Sequence, residues 1–190
     1  MDYKKDYLDI VKERLKESRY IHTLGVIDEA LILSEIYGEN KDKARIAASL
    51  HDIAKYIDID IQKEMIRKNF GEEILNDLVE GVYHSYTGYL IARDELEIDD
   101  IDILNAILYH TIGRPNMSTL EKIVFVSDFA EANRNFKESR ICHELALKSL
   151  DEAVYFEMDE QIKFNEKKNN RIPKMAIEAR NYYRRLLNIE

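Results

Sequence analysis

A histidine–aspartate pair, His51-Asp52, stands in a stretch that is otherwise typical of a buried helix. Ala47 and Ala48 precede it by one helical turn, so we expect His51 to share their core-facing side. Asp52 follows at the edge of that face, where burial of a carboxylate is costly unless its charge is compensated. The two side chains could together bind one metal ion. Taken alone, the stretch favours a structural alternative, in which a backbone carbonyl binds His51 and Lys55 pairs with Asp52.

Further imidazoles and one further carboxylate fall on inward faces of predicted helices. These candidates are His22, His84, His110 and Asp128. Each by itself is more often a satisfied structural residue than a ligand. Together with His51 and Asp52 they direct four imidazoles and two carboxylates towards one core, and a metal site would satisfy them all.

Four cations lie close in sequence to these candidate ligands. They are Arg19, Lys55, Arg114 and Arg134. A single such residue is usually a solvated charge or a weak surface pair. Four of them suggest a clamp for phosphate, because guanidinium and ammonium groups pair well with phosphoryl oxygens.

The elements that must position these residues are predicted to be all α-helical, since the chain has only two prolines and six glycines. Hydrophobic periodicity predicts helices over about 3–18, 20–37, 42–56, 60–69, 72–82, 83–96, 100–112, 120–132, 137–168 and 173–187. Gly38 is a predicted helix stop, and Ser118–Glu121 has the pattern of a capping box. No repeat or linker divides the sequence, so we predict a single domain over 1–190.

Composition excludes several classes of function. A formal charge of −9 argues against a general nucleic-acid binder. The single Cys142 excludes an intrachain disulfide, and we expect it to serve core packing, with His143 beside it at the surface. No apolar signal core follows the first residues, and no run of about 20 apolar residues could span a membrane. We therefore expect a cytoplasmic protein without a membrane partner.

The order of the candidate ligands resembles that of the HD-domain metal-dependent phosphohydrolases. Two blocks narrow the resemblance, namely His110-Thr111-Ile112-Gly113-Arg114 and Met117-Ser118-Thr119-Leu120-Glu121-Lys122-Ile123-Val124-Phe125-Val126-Ser127-Asp128. These two blocks and the sequence around His51-Asp52 are similar to the YqeK family of bacterial symmetrical bis(nucleosyl)-tetraphosphatases. The similarity runs from about Arg19 to Arg134. It implies an HD-domain helical bundle with C-terminal capping helices.

The resemblance also implies roles for individual residues. The metal ligands would be His22, His51, Asp52 and Asp128, and the expected ion is iron, although manganese, cobalt or zinc suits the same donors. The catalytic residues would be Asp52, His84 and His110. Substrate contacts would come from Arg19, His22, Lys55, His84, His110, Asp128 and Arg134, and from Arg171, Ile172, Pro173, Lys174, Met175 and Ala176, where the family closes over the nucleotide.

The implied reaction is hydrolysis of diadenosine tetraphosphate in the middle, which gives two ADP. Several alternatives stay open at this stage. His84 and His110 act on the phosphoryl group, or they hold a second metal that Asp52 bridges. The terminal helices pack internally or form a homodimer. The protein acts on a dinucleoside polyphosphate, on nucleoside phosphates or a guanosine alarmone, or it is a non-catalytic nucleotide sensor.

Overall fold

In a computed structural model, which describes residues 3 and 5–189, the described part of the chain forms eleven α-helices and no strand. The prediction of an all-α fold is confirmed. The helices are α1 (Leu8–Arg14), α2 (Glu17–Tyr37), α3 (Lys41–Leu50), α4 (Ile59–Phe70), α5 (Glu72–Asp77), α6 (Glu80–Leu90), α7 (Ile101–Tyr109), α8 (Thr119–Ala130), α9 (Lys137–Ala146), α10 (Leu150–Lys167) and α11 (Lys174–Leu186). A π-helical segment, Ile91–Glu95, continues α6. The N-terminal predictions partly concern residues 1, 2 and 4, which lie outside the described residues.

Four helices, α2, α3, α7 and α8, pack against one another and form the centre of the bundle. Their inward side chains include Val26, Leu33, Ile46, Ile107 and Phe125, none of which reaches solvent. Helices α4, α5 and α6 lie on one side of this centre, and α10 joins α8 to α9 and α11 on the other. The C-terminal helices therefore cover the bundle as predicted. None of the helices described is long and apolar enough to cross a membrane.

Helices α3 and α7 both end earlier than predicted, because each is followed by a histidine that binds the helix end. His51 Nδ1 donates to the Ala48 carbonyl at 2.6 Å, and His110 Nδ1 donates to the Ile107 carbonyl at 2.8 Å. In each case the side chain takes the carbonyl that the next backbone N–H would bind in a longer helix. The chain after α3 continues in tighter turns, in which Lys55 N donates to the Asp52 carbonyl at 2.9 Å.

The prediction of one helix over 137–168 is wrong, because the chain turns between α9 and α10. The Ser149 hydroxyl accepts a hydrogen bond from Glu152 N at 3.3 Å and so caps α10. Smaller differences occur at α1, which spans only Leu8–Arg14, and at the boundary of α5 and α6. The predicted stop at Gly38 is confirmed, since its φ of 67° is left-handed.

Candidate metal centre

Two histidines at helix ends direct their Nε2 atoms into the same space. A carbonyl oxygen can only accept a hydrogen bond, so His51 and His110 carry their proton on Nδ1. The Nε2 atom of each ring is therefore the nitrogen available to a metal ion. The two rings meet edge to face, with 5.1 Å between their centroids. The local sequence thus fixes both the tautomer and the direction of each imidazole.

A third histidine is oriented in the same way by a carboxylate that the sequence analysis missed. His22 on α2 directs Nδ1 to Glu131 Oε1 at 3.0 Å, and Glu131 is buried just beyond the end of α8. The backbone N–H of Asn133 donates to Glu131 Oε2 at 2.7 Å. Because a carboxylate accepts the Nδ1 proton, His22 Nε2 is free and lies 2.9 Å from Asp128 Oδ1. The Asp-x-x-Glu spacing at the end of α8 is the signal that would have pointed to Glu131.

Asp52 lies between two groups of candidate ligands. Its Oδ2 atom is 3.4 Å from His51 Nε2, while Oδ1 is 3.0 Å from His84 Nε2 and 3.8 Å from His110 Nε2. One group consists of His22, His51 and Asp52, and the other consists of Asp52, His84 and His110. The ligand atoms within each group all lie within 4.8 Å of one another. Both groups are entirely buried. Asp52 is therefore placed to serve two metal positions.

The donor atoms fit a metal ion because the protein leaves them without hydrogen bonds. Among the described residues, His22 Nε2, His51 Nε2 and both carboxylate oxygens of Asp52 are buried and make none. Their short approaches to neighbouring groups lack hydrogen-bond geometry. Buried polar atoms are nearly always satisfied, so four atoms without hydrogen bonds in one place indicate a cation site. The contacts of the structural alternative, His51 to a carbonyl and Asp52 near Lys55, are also present, but they leave these atoms unused.

Three of the four predicted cations surround the ligands. Arg19 lies 2.9 Å from Asp52 Oδ2, and Lys55 Nζ lies 3.4 Å from Asp52 Oδ1. Arg134 donates to Asp128 Oδ1 at 2.8 Å and twice to the Asp128 carbonyl. All three cationic side chains are partly exposed. They are therefore accessible to an anionic ligand at the mouth of the site.

The fourth cation, Arg114, does not belong to this cluster, which corrects the prediction of a four-cation clamp. Its guanidinium forms two hydrogen bonds of 2.7 Å with the carboxylate of buried Glu121. The same carboxylate explains why the capping box is only half formed. Ser118 accepts from Glu121 N at 3.2 Å, but the Glu121 side chain turns to Arg114 instead of the helix end.

Burial and charge set the protonation of the central groups. Burial disfavours the charged form of Asp52, yet the close imidazoles of His51, His110 and His84 hold its pKa well below the ordinary value. Burial lowers the pKa of His84 to about 4, so this ring is neutral at pH 7. The centre thus contains an anionic carboxylate and a neutral imidazole 3.0 Å apart, which is the protonation that metal binding requires.

Part of the predicted nucleotide segment lines a cavity. Arg171, Ile172, Pro173 and Ala176 line a cavity of about 220 Å³ together with Thr111, the residue after His110. Arg171 donates to the Asn76 carbonyl, and Lys174 N donates to Asp77 at 3.0 Å. Met175 and Ala176 pack against a second hydrophobic cluster, which includes Leu78 and Tyr86. The segment therefore shares a cavity with the residue that follows His110.

The remaining histidine, His143, is half-exposed and pairs with buried Glu29 at 2.7 Å, away from the metal centre. Cys142 is fully buried, and the expectation that it serves packing is confirmed.

A second buried carboxylate that the sequence analysis missed, Glu157 on α10, gives a prediction about stability. Its Oε1 accepts from Gln161 at 2.8 Å, and Oε2 has no hydrogen-bond partner in the described chain. Burial, reinforced by Asp128, raises its pKa well above the ordinary value. The native state therefore keeps a proton that the unfolded chain loses above about pH 4.3, so stability falls as pH rises.

We expect Glu157→Gln to abolish this loss. Relative to wild type, the variant should gain free energy of unfolding between pH 5 and pH 7, by at most about 1.4 kcal/mol per pH unit. Urea unfolding of the chelator-treated protein at both pH values measures the difference. The exposed Glu166→Gln change on the same helix is the control. A Glu157→Gln effect that does not vary with pH would contradict the prediction.

Comparisons with known proteins define the class. A model of the HD domain matches residues 19–133, a range that contains His22, His51, Asp52 and Asp128. A crystal structure from Clostridium acetobutylicum, described as an HD superfamily hydrolase involved in NAD metabolism, has the same fold. Its TM-score is 0.87 and its sequence identity 38%, over 93% of this chain and 94% of that chain. The bundle and its buried ligand cluster are thus those of an HD-domain protein.

Two curated relatives identify the group within this class. The symmetrical bis(5′-nucleosyl)-tetraphosphatase of Halalkalibacterium halodurans is 38% identical over 87% of this chain and 88% of its own length. That of Bacillus subtilis is 37% identical over 87% of this chain and 89% of its own length. The chain belongs to the HD-domain family of symmetrical bis(5′-nucleosyl)-tetraphosphatases, as its sequence resemblance predicts.

Proposed function

We propose that this protein is a metal-dependent hydrolase that cleaves diadenosine tetraphosphate symmetrically into two ADP. One observation supports the proposal most directly. Buried metal-binding atoms of His22, His51 and Asp52 lie close together without hydrogen-bond partners, and three partly exposed cations surround them. A metal centre beside cations is suited to a polyphosphate, because both offset the charge of phosphoryl oxygens. The relatives named above supply the substrate class.

His22, His51, Asp52 and Asp128 would hold the metal, and we propose iron as the ion. When bound, such an ion activates a water molecule and polarises a phosphoryl oxygen. In this reaction the oxygen of water bonds to one of the two central phosphorus atoms. The bond from that phosphorus to the bridging oxygen breaks, and the bridging oxygen leaves as part of the other ADP. Arg19, Lys55 and Arg134 are near enough to offset the charge that spreads onto the phosphoryl oxygens.

His84 and His110 approach Oδ1 of Asp52, whereas His51 approaches Oδ2, and two roles fit the geometry of His84 and His110. In one they contact the phosphoryl group, and in the other they hold a second ion that shares Asp52. Lys55 Nζ lies 3.0 Å from His84 Nε2, so a ligand or substrate atom must compete with this ammonium. Metal content separates the roles, because two ions per chain require the second group and one ion leaves it to the substrate.

The activity test is incubation of iron-loaded protein with diadenosine tetraphosphate, followed by chromatographic separation of the products. We expect ADP as the sole nucleotide product. AMP plus ATP would retain the metal centre but refute the symmetric cleavage. Absence of product with iron, manganese and cobalt would favour the nucleotide sensor, and a panel of nucleoside phosphates assayed in parallel tests the other hydrolase activities.

A further inference from the structure

A groove of about 730 Å³ lies between the end of α8 and helix α10. The end of α8 and the loop after it contribute Phe129 and Phe136, and α10 contributes Phe164. Phe129 directly follows Asp128, so the groove begins one residue from a proposed metal ligand. We call these three residues and the space between them the phenylalanine groove.

The phenylalanine groove presents aromatic surface to solvent. Phe164 is 58% exposed and Phe136 is 38% exposed. Phe129 supports Phe136 edge to face, with 5.1 Å between ring centroids. Single exposed hydrophobic residues are ordinary, but three phenyl rings that line one groove indicate a binding surface. Aromatic side chains of this kind are the usual platforms on which nucleobases stack.

The groove is continuous with the cavity at the nucleotide segment. Gln161 and Asn165, on one side of α10, line both. The nucleotide cavity begins at Thr111, one residue after His110, just as the groove begins one residue after Asp128. Each cavity therefore has a wall residue next in sequence to a residue of the metal centre, and the two cavities meet along α10. Two adjoining cavities beside one centre suit a substrate with one central polyphosphate and a nucleoside at each end.

A third cavity near Arg134 is a poorer candidate. The described residues that line it include no phenylalanine, tyrosine or tryptophan. Its one ring is the imidazole of His143, which is already paired with Glu29, so it offers a base less stacking surface than three phenyl rings. The phenylalanine groove is thus the better match to a nucleoside.

We propose that the phenylalanine groove binds the second nucleoside of a dinucleoside polyphosphate, by stacking of its base on Phe136 and Phe164. This inference rests on the proposed function, because it assumes a substrate with two nucleosides. The first nucleoside occupies the cavity at residues 171–176. A nucleotide with one nucleoside then gains nothing from the groove.

The test is a binding comparison on the iron-loaded protein. The ligands are a diadenosine tetraphosphate with a methylene group in place of the central bridging oxygen, and an adenosine tetraphosphate with the same replacement. We expect a Phe136→Ala/Phe164→Ala variant to bind the two-nucleoside ligand about 5- to 150-fold more weakly than wild type. Its Kd for the one-nucleoside ligand should change by less than about twofold, since that ligand does not use the groove.

The Phe136→Tyr/Phe164→Tyr variant is the matched control, because it retains both rings and should retain both affinities. An unchanged Kd for the two-nucleoside ligand in the alanine variant overturns the inference, and so does an equal loss for both ligands. These outcomes are independent of turnover. Failure of the wild type to produce ADP would instead refute the proposed function.

Discussion

An Asp52→Asn variant should lose bound metal and turnover together. Asp52 is the one residue that both groups of candidate ligands share, and its negative charge pairs with the positive charges of Arg19 and Lys55. The amide keeps the size of the side chain but removes the negative charge that a cation requires. We expect turnover to fall at least about 10³-fold, at or beyond the upper end of the loss when one oxyanion-hole donor is removed. Metal analysis of the purified protein and the rate of ADP release measure the two effects.

The control for this substitution is Asp102→Asn, on the surface of α7. Asp102 is half-exposed and pairs with Lys43 at 3.4 Å, away from the metal centre. The control should keep its metal content and its turnover within about twofold, since surface ion pairs contribute little. A folded Asp52→Asn protein that retains wild-type metal content and activity would refute the assignment of Asp52.

The helices themselves could be predicted because burial repeats with a helical period in most of them. Their ends were harder, and His51 shows why. The apolar pattern continues through Ile53 and Ala54, so periodicity extends α3 by six residues. What ends the helix is a side-chain hydrogen bond to the Ala48 carbonyl, which competes with the backbone and leaves no trace in the hydrophobic pattern.

The candidate ligands could be found for a different reason. Buried histidines and carboxylates are rare enough that several on inward faces must be explained together, and the structure brings them to one place. The direction in which a side chain points was harder to predict than which residues lie near one another. Arg114 follows closely on His110 in sequence, yet its guanidinium turns to Glu121. Closeness along the chain does not say which way a long side chain points.

Glu131 escaped the sequence analysis because it lies beyond the last residue of α8, where helical periodicity no longer assigns a face. Its extended backbone, with ψ at 150°, turns the chain, and its carboxylate meets His22, 109 residues away in sequence. Only the packing of α2 against α8 creates this contact. The residue that permits the approach is Gly25, one turn after His22.

Replacement of Gly25 with alanine should weaken metal binding without a change in any candidate ligand. A Cβ at this position would overlap Glu131 Oε2 and would lie 2.8 Å from Asn133 Nδ2. The carboxylate must then move away from His22, whose imidazole loses the partner that orients Nε2. Loss of such an outer partner typically costs about 10- to 100-fold in metal affinity. Competition with a chelator of known affinity measures the change.

Gly81→Ala is the matched control, because a Cβ there meets nothing within 4 Å, and it should leave metal affinity unchanged. A double-mutant cycle with Glu131→Ala tests the route of the effect. Once Glu131 is truncated, the methyl group at position 25 has no carboxylate to displace. The double variant should therefore bind metal as Glu131→Ala does alone, and it should be more stable to heat than Gly25→Ala. Additive losses would show instead that Gly25 acts on the centre by another path, through α2 itself.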